Sequence, residues 1–352
     1  MVAQAEGPVR LTTTPAPHIH GGNRVARVMQ RVLLALVPGV AAMVAVLGWG
    51  IVVNMVVAVA VAVVCEMALL RLRRRPVALF LNDWSAVVMA VLLALCLPPL
   101  LPAWITALGV AFGLVFGKHL YGGLGYNPFN PAMVGYVALL VAFPQAMVQW
   151  PAMTGLGEGV VGPLQAVRGV FTGYWPGGLD AITQATPLDR IRTGLGEQRT
   201  LGELRGGPAF GAVAARGWEW VNAGFLVGGL ALVALRVVRW QIPTGVLLGL
   251  ALPALVFWGL NPDQYPPPVF QVLSGGAMLG AFFVATDPVS AATTPRGRLI
   301  FGLGVGLLAW VIRTWGGYPD GIAFGVLLMN MAVPLIDRVT QPRVYGHRGG
   351  GA

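Results

Sequence analysis

The segment GIVVNMVVAVAVAVVCEMALLRLRRR occupies residues 50–75 and decides the class of fold. Apart from Asn54 and Glu66, its residues 50–70 are apolar. A helix of about 20 such residues crosses the roughly 30 Å hydrocarbon core of a bilayer. The arginines that follow are typical of the cytoplasmic border of a spanning helix. The segment therefore predicts a membrane helix, and the rest of the chain repeats its pattern.

The composition excludes an ordinary soluble domain. Of the 352 residues, 56% are hydrophobic and 10% are charged, whereas soluble domains carry about 25% charged residues. The net charge is +10, but the basic residues are scattered between apolar runs and form no basic face with aromatics. No nucleic-acid partner is therefore predicted, and the lipid membrane is the expected environment. Cys65 and Cys96 lie within apolar runs as small buried side chains, so no metal site is predicted.

Windows of 17–25 mostly apolar residues predict ten membrane spans, five on each side of a hydrophilic segment. The spans are placed at 30–48, 50–70, 80–97, 101–117, 128–147, 222–239, 242–260, 269–286, 299–315 and 320–336. The predicted fold is an all-α integral membrane protein with two inverted five-helix repeats and a mostly irregular outer loop domain. The regions are a tail (1–29), a first half (30–147), the loop domain (148–221), a second half (222–337) and a tail (338–352).

An odd number of spans in each half means that any duplication is inverted in the membrane. The third span (NDWSAVVMAVLLALCLPP) and the eighth (QVLSGGAMLGAFFVATDP) share a polar start, small residues and a proline end. Inverted repeats place functional sites near the midplane between the halves and use interrupted helices. The interface between the two halves is therefore the predicted place for a site.

The arginines predict the orientation. With the N-terminus in the cytoplasm, the short cytoplasmic segments hold sixteen of the 23 basic residues, and the short outer loops hold one, Arg313. The other six lie in residues 148–221, a segment too long for the positive-inside rule to govern. We therefore expect both termini in the cytoplasm and residues 148–221 outside.

The stretch GKHLYGGLGYNPFNPAMVGY (117–136) combines prolines, asparagines and glycines at the entrance to a span. Such irregular backbone is tolerated at membrane depth where it is buried in protein or lines a polar cavity. Asn127 and Asn130 are candidates to bind the amide edge of a ligand. The structural alternative is a kinked helix capped by asparagine. Lys118 and His119 are interpreted as an interfacial anchor or, alternatively, as an anion or cofactor contact.

The acids near span ends are candidates for function because ionisable groups are costly inside a membrane. Glu66 and Asp83 flank the RLRRR loop and are expected to pair with it. Asp287 and Asp337 are interpreted as capping or interfacial groups. These assignments predict no catalytic residue in the chain.

The stretch LDAITQATPLDR (179–190) is polar and carries two threonines in the middle of the loop domain. Neither histidine nor lysine lies nearby in sequence to activate a threonine, so hydrolase chemistry is unfavourable. One interpretation is a threonine-rich turn capped by Asp180. The other is an acceptor that a second enzyme modifies.

Five features in chain order carry a family resemblance. They are HIHGGNRVARVMQRVLLALVPG, RLRRRPVALFLNDWSAVVMAVLLALCLPP, GGLGYNPFNPAMVGY, DAITQATPL and FFVATDPVSAATTPRGRLIFG. Together they resemble the D subunit of Rnf electron-transport complexes and the related B subunit of sodium-pumping NADH:quinone reductases. The likeness runs from about residue 18 to residue 340.

The resemblance implies a flavin-carrying protein. The family bears FMN joined through its phosphate to a threonine hydroxyl in a D-G-x-[ST]-G-A-T motif, installed from FAD by a separate flavin transferase. Mapped onto this chain, Thr186 is the acceptor, and Asp180, Thr183 and Ala185 match other motif positions. Thr183 is the competing acceptor, and Gln184 stands where the family often has glycine.

The family also implies a second, non-covalent flavin, riboflavin, within the membrane part. Its candidate contacts are Gly122, Gly123, Asn127 and Asn130. By resemblance, the chain relays electrons between ferredoxin and NAD, coupled to Na⁺ or H⁺ movement, in a bacterial inner-membrane complex whose other members are the Rnf A, B, C, E and G proteins. The alternatives are a permease or channel, the quinone-reducing sister complex, and a membrane scaffold without flavin.

Overall fold

The computed structural model describes residues 25–153, 161–207, 210–211 and 214–342. The predicted tails therefore lie mostly outside the described residues, as does the HIHGG stretch. Within the described residues the regular structure is helical, and strand-like pairing is limited to two isolated bridges. The predicted all-α class is confirmed.

The first half begins with six helices. They are α1 (Val25–Leu47), α2 (Gly50–Leu72), α3 (Val77–Leu81), α4 (Ser85–Cys96), α5 (Ala103–Leu114) and α6 (Pro131–Ala142). A π-helical turn, Val115–His119, continues α5.

The intervening segment (148–221) contains short helices between irregular stretches. The short α7 (Pro144–Met147) ends the first half, and the intervening segment then contains α8 (Pro163–Thr172), α9 (Leu179–Ile182), α10 (Pro187–Gly196) and α11 (Leu201–Arg205). The second half contains α12 (Trp218–Ala234), α13 (Gln241–Leu260), α14 (Pro268–Leu273), α15 (Ala277–Leu279), α16 (Pro295–Trp315) and α17 (Ile322–Thr340). A π-helical turn, Gly280–Val284, continues α15.

Five of these helices are long and apolar enough to cross a membrane: α1, α2, α13, α16 and α17. Four shorter apolar helices accompany them: α4, α5 with its π-helical turn, α6 and α12. The chain is therefore a multi-pass membrane protein.

The third and eighth predicted spans are broken rather than continuous. In the third, α3 ends before Asp83, whose carboxylate accepts the Ser85 backbone N–H at 2.7 Å, and Trp84 adopts a left-handed conformation with φ of 65°. In the eighth, α14 ends at Leu273, and Ser274 and Gly275 follow outside the helix, with φ of 60° at Gly275. An aspartate that competes for backbone N–H groups and a glycine with positive φ both interrupt helical hydrogen bonding.

The two halves repeat one packing pattern. In the first half α5 packs on α2 and α6, and in the second half α16 packs on α13 and α17. Across the halves, the first helices α1 and α12 pack together, as do the last helices α6 and α17. This arrangement agrees with the predicted repeats.

Glycines bring the closest helix pairs together. A Cβ atom on Gly306 of α16 would lie 2.1 Å from the Val246 carbonyl oxygen of α13. A Cβ atom on Gly228 of α12 would lie 1.8 Å from the Ala35 carbonyl oxygen of α1. Small residues at such positions let membrane helices approach until their backbones touch.

The intervening segment covers one end of the helix bundle. The Trp49 N–H donates to the Val161 carbonyl oxygen at 3.3 Å, and the Leu201 N–H donates to the Asp263 carbonyl oxygen at 2.8 Å. A separate hydrophobic cluster, which includes Trp175, seats α8 against Leu100. The segment therefore contacts both halves at the same end, and we call this the covered end.

Candidate functional site

Thr186 is the N-cap of α10. Its Oγ1 donates a hydrogen bond to Asp189 Oδ2 at 2.8 Å and accepts one from the Asp189 N–H at 3.3 Å. Pro187 follows at the first helical position, where its lack of an N–H costs nothing. Burial raises the pKa of the Asp189 carboxyl above its ordinary value, and the Thr186 hydrogen bond and the Arg192 charge oppose that rise.

The other motif residues surround this cap. Asp180 is exposed on α9, and Thr183 forms an antiparallel bridge with Pro151. The Gln184 N–H donates to the Trp150 carbonyl oxygen at 2.8 Å, so the segment before Thr186 is hydrogen-bonded to the chain that follows α7. Ala185 is exposed. The group that interacts with the Thr186 hydroxyl is Asp189, rather than the predicted cap Asp180.

A cavity at the covered end, which we call the first cavity, contains about 1080 Å³ of space between atoms, part of it open to solvent. Thr186 and Asp189 line it together with residues from both membrane halves. Its aromatic lining consists of Tyr136, Trp150, Trp218, Phe225 and Tyr318. The threonine predicted to be modified thus lies beside a mostly apolar space between the repeats.

The break in the eighth span forms part of the wall of this cavity. Ser274 is fully buried, and its Oγ has no hydrogen-bond partner among the described residues. Arg313 lies behind the break with its side chain 1% exposed; its Nη2 donates to the Ser274 carbonyl oxygen at 3.2 Å and pairs with Asp320 at 3.1 Å. Arg313, placed in an outer loop from the sequence, is instead a buried member of α16.

Asn222 of α12 holds both sides of the same break. Its Nδ2 donates to the carbonyl oxygens of Leu273 and Gly275, both at 3.1 Å, and its Oδ1 accepts the Met278 N–H at 3.2 Å. Buried backbone groups released by a broken helix need such partners. The role of Asn222 was not predicted from the sequence. The available indication was a polar amide side chain at the start of an apolar span.

A second cavity lies at the opposite end of the same interface and contains about 880 Å³ of space between atoms, part of it open to solvent. Asn127 and Asn130 both line it. Asn127 donates from Nδ2 to the Phe129 carbonyl oxygen at 3.0 Å, but its buried Oδ1 has no partner among the described residues. Asn127 therefore presents a buried acceptor that a ligand N–H group would satisfy.

Asn130 has a structural role. Its Oδ1 caps α6 by accepting the Ala132 N–H at 3.0 Å, and its Nδ2 donates to the Val284 carbonyl oxygen at 3.0 Å. Its backbone N–H donates to Asn330 Oδ1 at 3.1 Å. The asparagine-cap alternative is thus confirmed for Asn130, which also ties the halves together between the two cavities.

The predicted glycines lie apart from this lining. Gly122 and Gly123 have φ of 122° and 112°, a conformation that favours glycine. Neither is among the residues that line the second cavity. They shape the turn after α5, while the two asparagines reach the cavity.

A buried charge cluster adjoins the second cavity and was not predicted. Lys118 Nζ lies 2.7 Å from Glu66 Oε1 and donates to Ser85 Oγ at 2.9 Å, and His119 Nε2 lies 2.8 Å from Glu66 Oε2. The side chains of Lys118 and Glu66 are 5% and 2% exposed. Lys118 is therefore not an interfacial anchor, and Glu66 pairs with the end of α5 rather than with the RLRRR loop.

The fold and cavities define an α-helical multi-pass membrane protein with a cavity at each end of the interface between its repeats. Residues 12–346 match the NQR2, RnfD, RnfE family, and the chain belongs to it. The predicted family is confirmed.

Relatives align over nearly the full chain. One is the D subunit of the ion-translocating oxidoreductase complex of Alcanivorax borkumensis, 50% identical over 342 residues, which cover 96% of this chain and 97% of the relative. The protein of the same name from Pseudomonas aeruginosa (strain UCBPP-PA14) is 51% identical over 335 residues, 95% of each chain. That of Escherichia fergusonii is 46% identical over 345 residues, 95% of this chain and 98% of the relative.

Proposed function

We propose that the chain is the flavin-carrying membrane component of an Rnf-type ion-translocating oxidoreductase complex. FMN is joined to Thr186 by a phosphoester, and the complex relays electrons between ferredoxin and NAD while Na⁺ or H⁺ crosses the membrane. The name shared by relatives about 50% identical supports the complex. Flavins supply the redox chemistry, and this chain binds and orients them. The Rnf A, B, C, E and G proteins supply the NAD, ferredoxin and iron–sulfur sites.

The observation that carries the proposal is the position of Thr186 beside the first cavity. Pockets with mostly apolar walls and a few polar groups are typical of cofactor sites. The first cavity has such a lining, and the unpartnered Ser274 Oγ offers a polar contact. A flavin attached at Thr186 therefore has an apolar, aromatic space for its ring next to the attachment point.

The second cavity fits a non-covalent flavin such as riboflavin. The pyrimidine edge of a flavin carries an N–H donor between carbonyl acceptors. The unpartnered Asn127 Oδ1 matches the donor, and the Lys118 ammonium lines the same cavity. Asn127 is thus the strongest contact candidate, whereas Asn130 contributes by fixing the wall.

The basic residues support the orientation. Arg73, Arg236 and Arg298 lie at the end opposite the intervening segment. Placing the arginine-rich end in the cytoplasm follows the positive-inside rule. The covered end, with residues 148–221, then faces the periplasm of a bacterial inner membrane, where a flavin transferase reaches Thr186, and both termini are cytoplasmic.

A permease is the second candidate, and the two cavities at opposite ends of the repeat interface favour it. A permease purifies without flavin, so colour and flavin fluorescence separate the two functions. The quinone-reducing sister complex differs in its partner proteins and in the reduction of quinone.

Mass spectrometry of the tryptic peptide 169–190, taken from protein made with an active transferase, tests the proposal. We expect an FMN-sized increment that fragments to Thr186, its loss in Thr186→Ala and its retention in Thr183→Ala. Modification at Thr183 would move the site and keep the function. An unmodified peptide would reject the covalent flavin and favour the permease.

A further inference from the structure

The cap at Thr186 differs from the other threonine–acid cap in the intervening segment. At α11 the Thr200 backbone N–H donates to Glu203 Oε2 at 3.0 Å, and Thr200 Oγ1 accepts the Glu203 N–H. This is the usual reciprocal capping box. At α10 the acid is Asp189, one methylene shorter, and its carboxylate accepts the hydroxyl of Thr186 instead of the backbone N–H. The hydroxyl proton is therefore already directed at a carboxylate.

The surroundings of Asp189 increase its basicity. Its carboxyl is partly buried, and burial raises its pKa. Arg192 on the same helix opposes that rise, while Tyr136 of α6 and Asp320 before α17 line the same cavity. A carboxylate with a raised pKa takes a proton more readily than an exposed aspartate does.

We propose that Asp189 is the general base for the modification of Thr186, supplied by the acceptor chain and not by the transferase. This inference rests on the proposed function, because it requires Thr186 to be the flavin acceptor. A threonine hydroxyl is a weak nucleophile without an adjacent base. Asp189 Oδ2, at 2.8 Å, lies within the distance required of a general base.

The reaction balances without an oxidant or a reductant. Thr186 Oγ1 attacks the flavin-side phosphorus of FAD held by the transferase, and its proton passes to the Asp189 carboxylate. The bond from that phosphorus to the bridging oxygen breaks, and AMP leaves with the electron pair. The products are the Thr186–FMN phosphodiester and AMP, and Asp189 releases its proton to solvent.

Residues 179–190 must therefore do more than let the transferase reach Thr186. The acceptor must place a carboxylate three residues after the threonine, at the third position of a helix, where it turns back to the N-cap. Pro187 at the first position fixes the start of α10 and therefore the Thr186–Asp189 geometry.

The test uses the full-length protein, purified from cells without transferase and then incubated with transferase and FAD. Covalent loading is followed by in-gel flavin fluorescence and by mass of the peptide that carries residue 186. Asp189→Asn keeps the size of the side chain but removes the base. Glu203→Gln is the matched control, because it changes the equivalent acid of the other capping box. Asp189→Glu keeps the carboxylate, and size-exclusion elution checks that each variant is folded.

General bases contribute about 10²–10⁴-fold, so we expect Asp189→Asn to load at least about 100-fold more slowly. Glu203→Gln should load at the wild-type rate, and Asp189→Glu should recover part of the loss. The ratio of the wild-type loading rate to the Asp189→Asn loading rate should rise with pH as Asp189 ionises. Titration of groups in the transferase changes both rates equally and therefore cancels in this ratio.

Each of the following results would overturn either the proposed function or the role of Asp189 as the base. Wild-type protein whose peptide 169–190 stays unmodified rejects the covalent flavin of the proposed function, whereas modification at Thr183 keeps that function and rejects Asp189 as the base. Wild-type protein that loads normally while Asp189→Asn matches it at every pH rejects Asp189 as the base and leaves the function intact. Slow loading by Asp189→Asn with no recovery in Asp189→Glu and a ratio independent of pH means that Asp189 only caps the helix.

Discussion

Replacement of Glu66 by glutamine is expected to destabilise the membrane part severely. Glu66 and Lys118 are almost fully buried, and their charged atoms lie 2.7 Å apart. At an effective dielectric constant of 20 their attraction is about 6 kcal/mol. Removing one partner of a buried pair leaves an uncompensated charge and costs about 3–5 kcal/mol. His119 loses its charged partner at the same time.

The expected decrease in the thermal unfolding midpoint can be worked out from the length of the chain. At about 2.1 cal/mol/K per residue, 352 residues have an unfolding entropy near 0.7 kcal/mol/K, so the loss corresponds to about 4–7 °C. Membrane helices keep much of their structure when the bundle unfolds, so their unfolding entropy is smaller than this value. Because the shift is the free-energy loss divided by that entropy, about 4–7 °C is a lower bound. Thermal unfolding in detergent, followed by tryptophan fluorescence, measures it.

A double variant separates burial of the charge from loss of contacts. Glu66→Leu with Lys118→Met removes both charges and should recover most of the loss, since apolar replacements of buried pairs are often neutral. Glu203→Gln, an exposed acid, should change stability by no more than about 0.5 kcal/mol. A midpoint for Glu66→Gln within about 1 °C of wild type, or a double variant as unstable as the single one, would refute the reasoning.

Three further predictions address helix packing and the two cavities. Gly306→Val should prevent normal folding, because its Cβ would meet the Val246 carbonyl oxygen at 2.1 Å, and size-exclusion elution of the detergent-solubilised protein shows this. Asn127→Leu should lower non-covalent flavin content while leaving covalent loading unchanged, as measured by extraction and in-gel fluorescence; equal extractable flavin would contradict the assignment. Asn222→Leu leaves buried backbone groups without partners at roughly 1–3 kcal/mol each and should lower the unfolding midpoint more than Asn261→Leu, which changes an exposed asparagine.

The sequence predicted the positions of the helices because apolar length is a strong local property. The predicted 50–70 and 242–260 spans correspond closely to Gly50–Leu72 and Gln241–Leu260. It missed the interruptions at Asp83 and Ser274, because window averages hide one or two residues that divert backbone hydrogen bonds. The polar starts of those two spans were the available signal.

Candidate sites could be predicted where a local sequence motif marks them. They could not be predicted where residues distant in sequence come together only in the folded chain. Thr186 was singled out as the acceptor by the resemblance to the family motif, but its contact with Asp189 depends on the capping geometry of α10. The Glu66–Lys118 pair joins residues 52 positions apart, and no local pattern connects them. Asn130 was interpreted either as a ligand contact or as a helix cap, and its amide caps α6 and donates to the Val284 carbonyl oxygen.

The breaks in the helices lie beside the two cavities between the repeats, since Ser274 and Gly275 line the first and Ser85 lines the second. A broken span frees backbone groups that lipid cannot satisfy, so each break must lie against protein or a polar ligand. Asn222 bonds to backbone groups on both sides of the break in the eighth span, and Asn130 donates to the Val284 carbonyl oxygen further along the same span. Of the four buried side-chain oxygens without partners in the described part of the chain, Ser274 Oγ lines the first cavity and Asn127 Oδ1 the second. An unpaired buried polar atom costs about 1–3 kcal/mol. One such atom in each cavity therefore favours one polar ligand at each end of the interface, as two flavins in a single chain require.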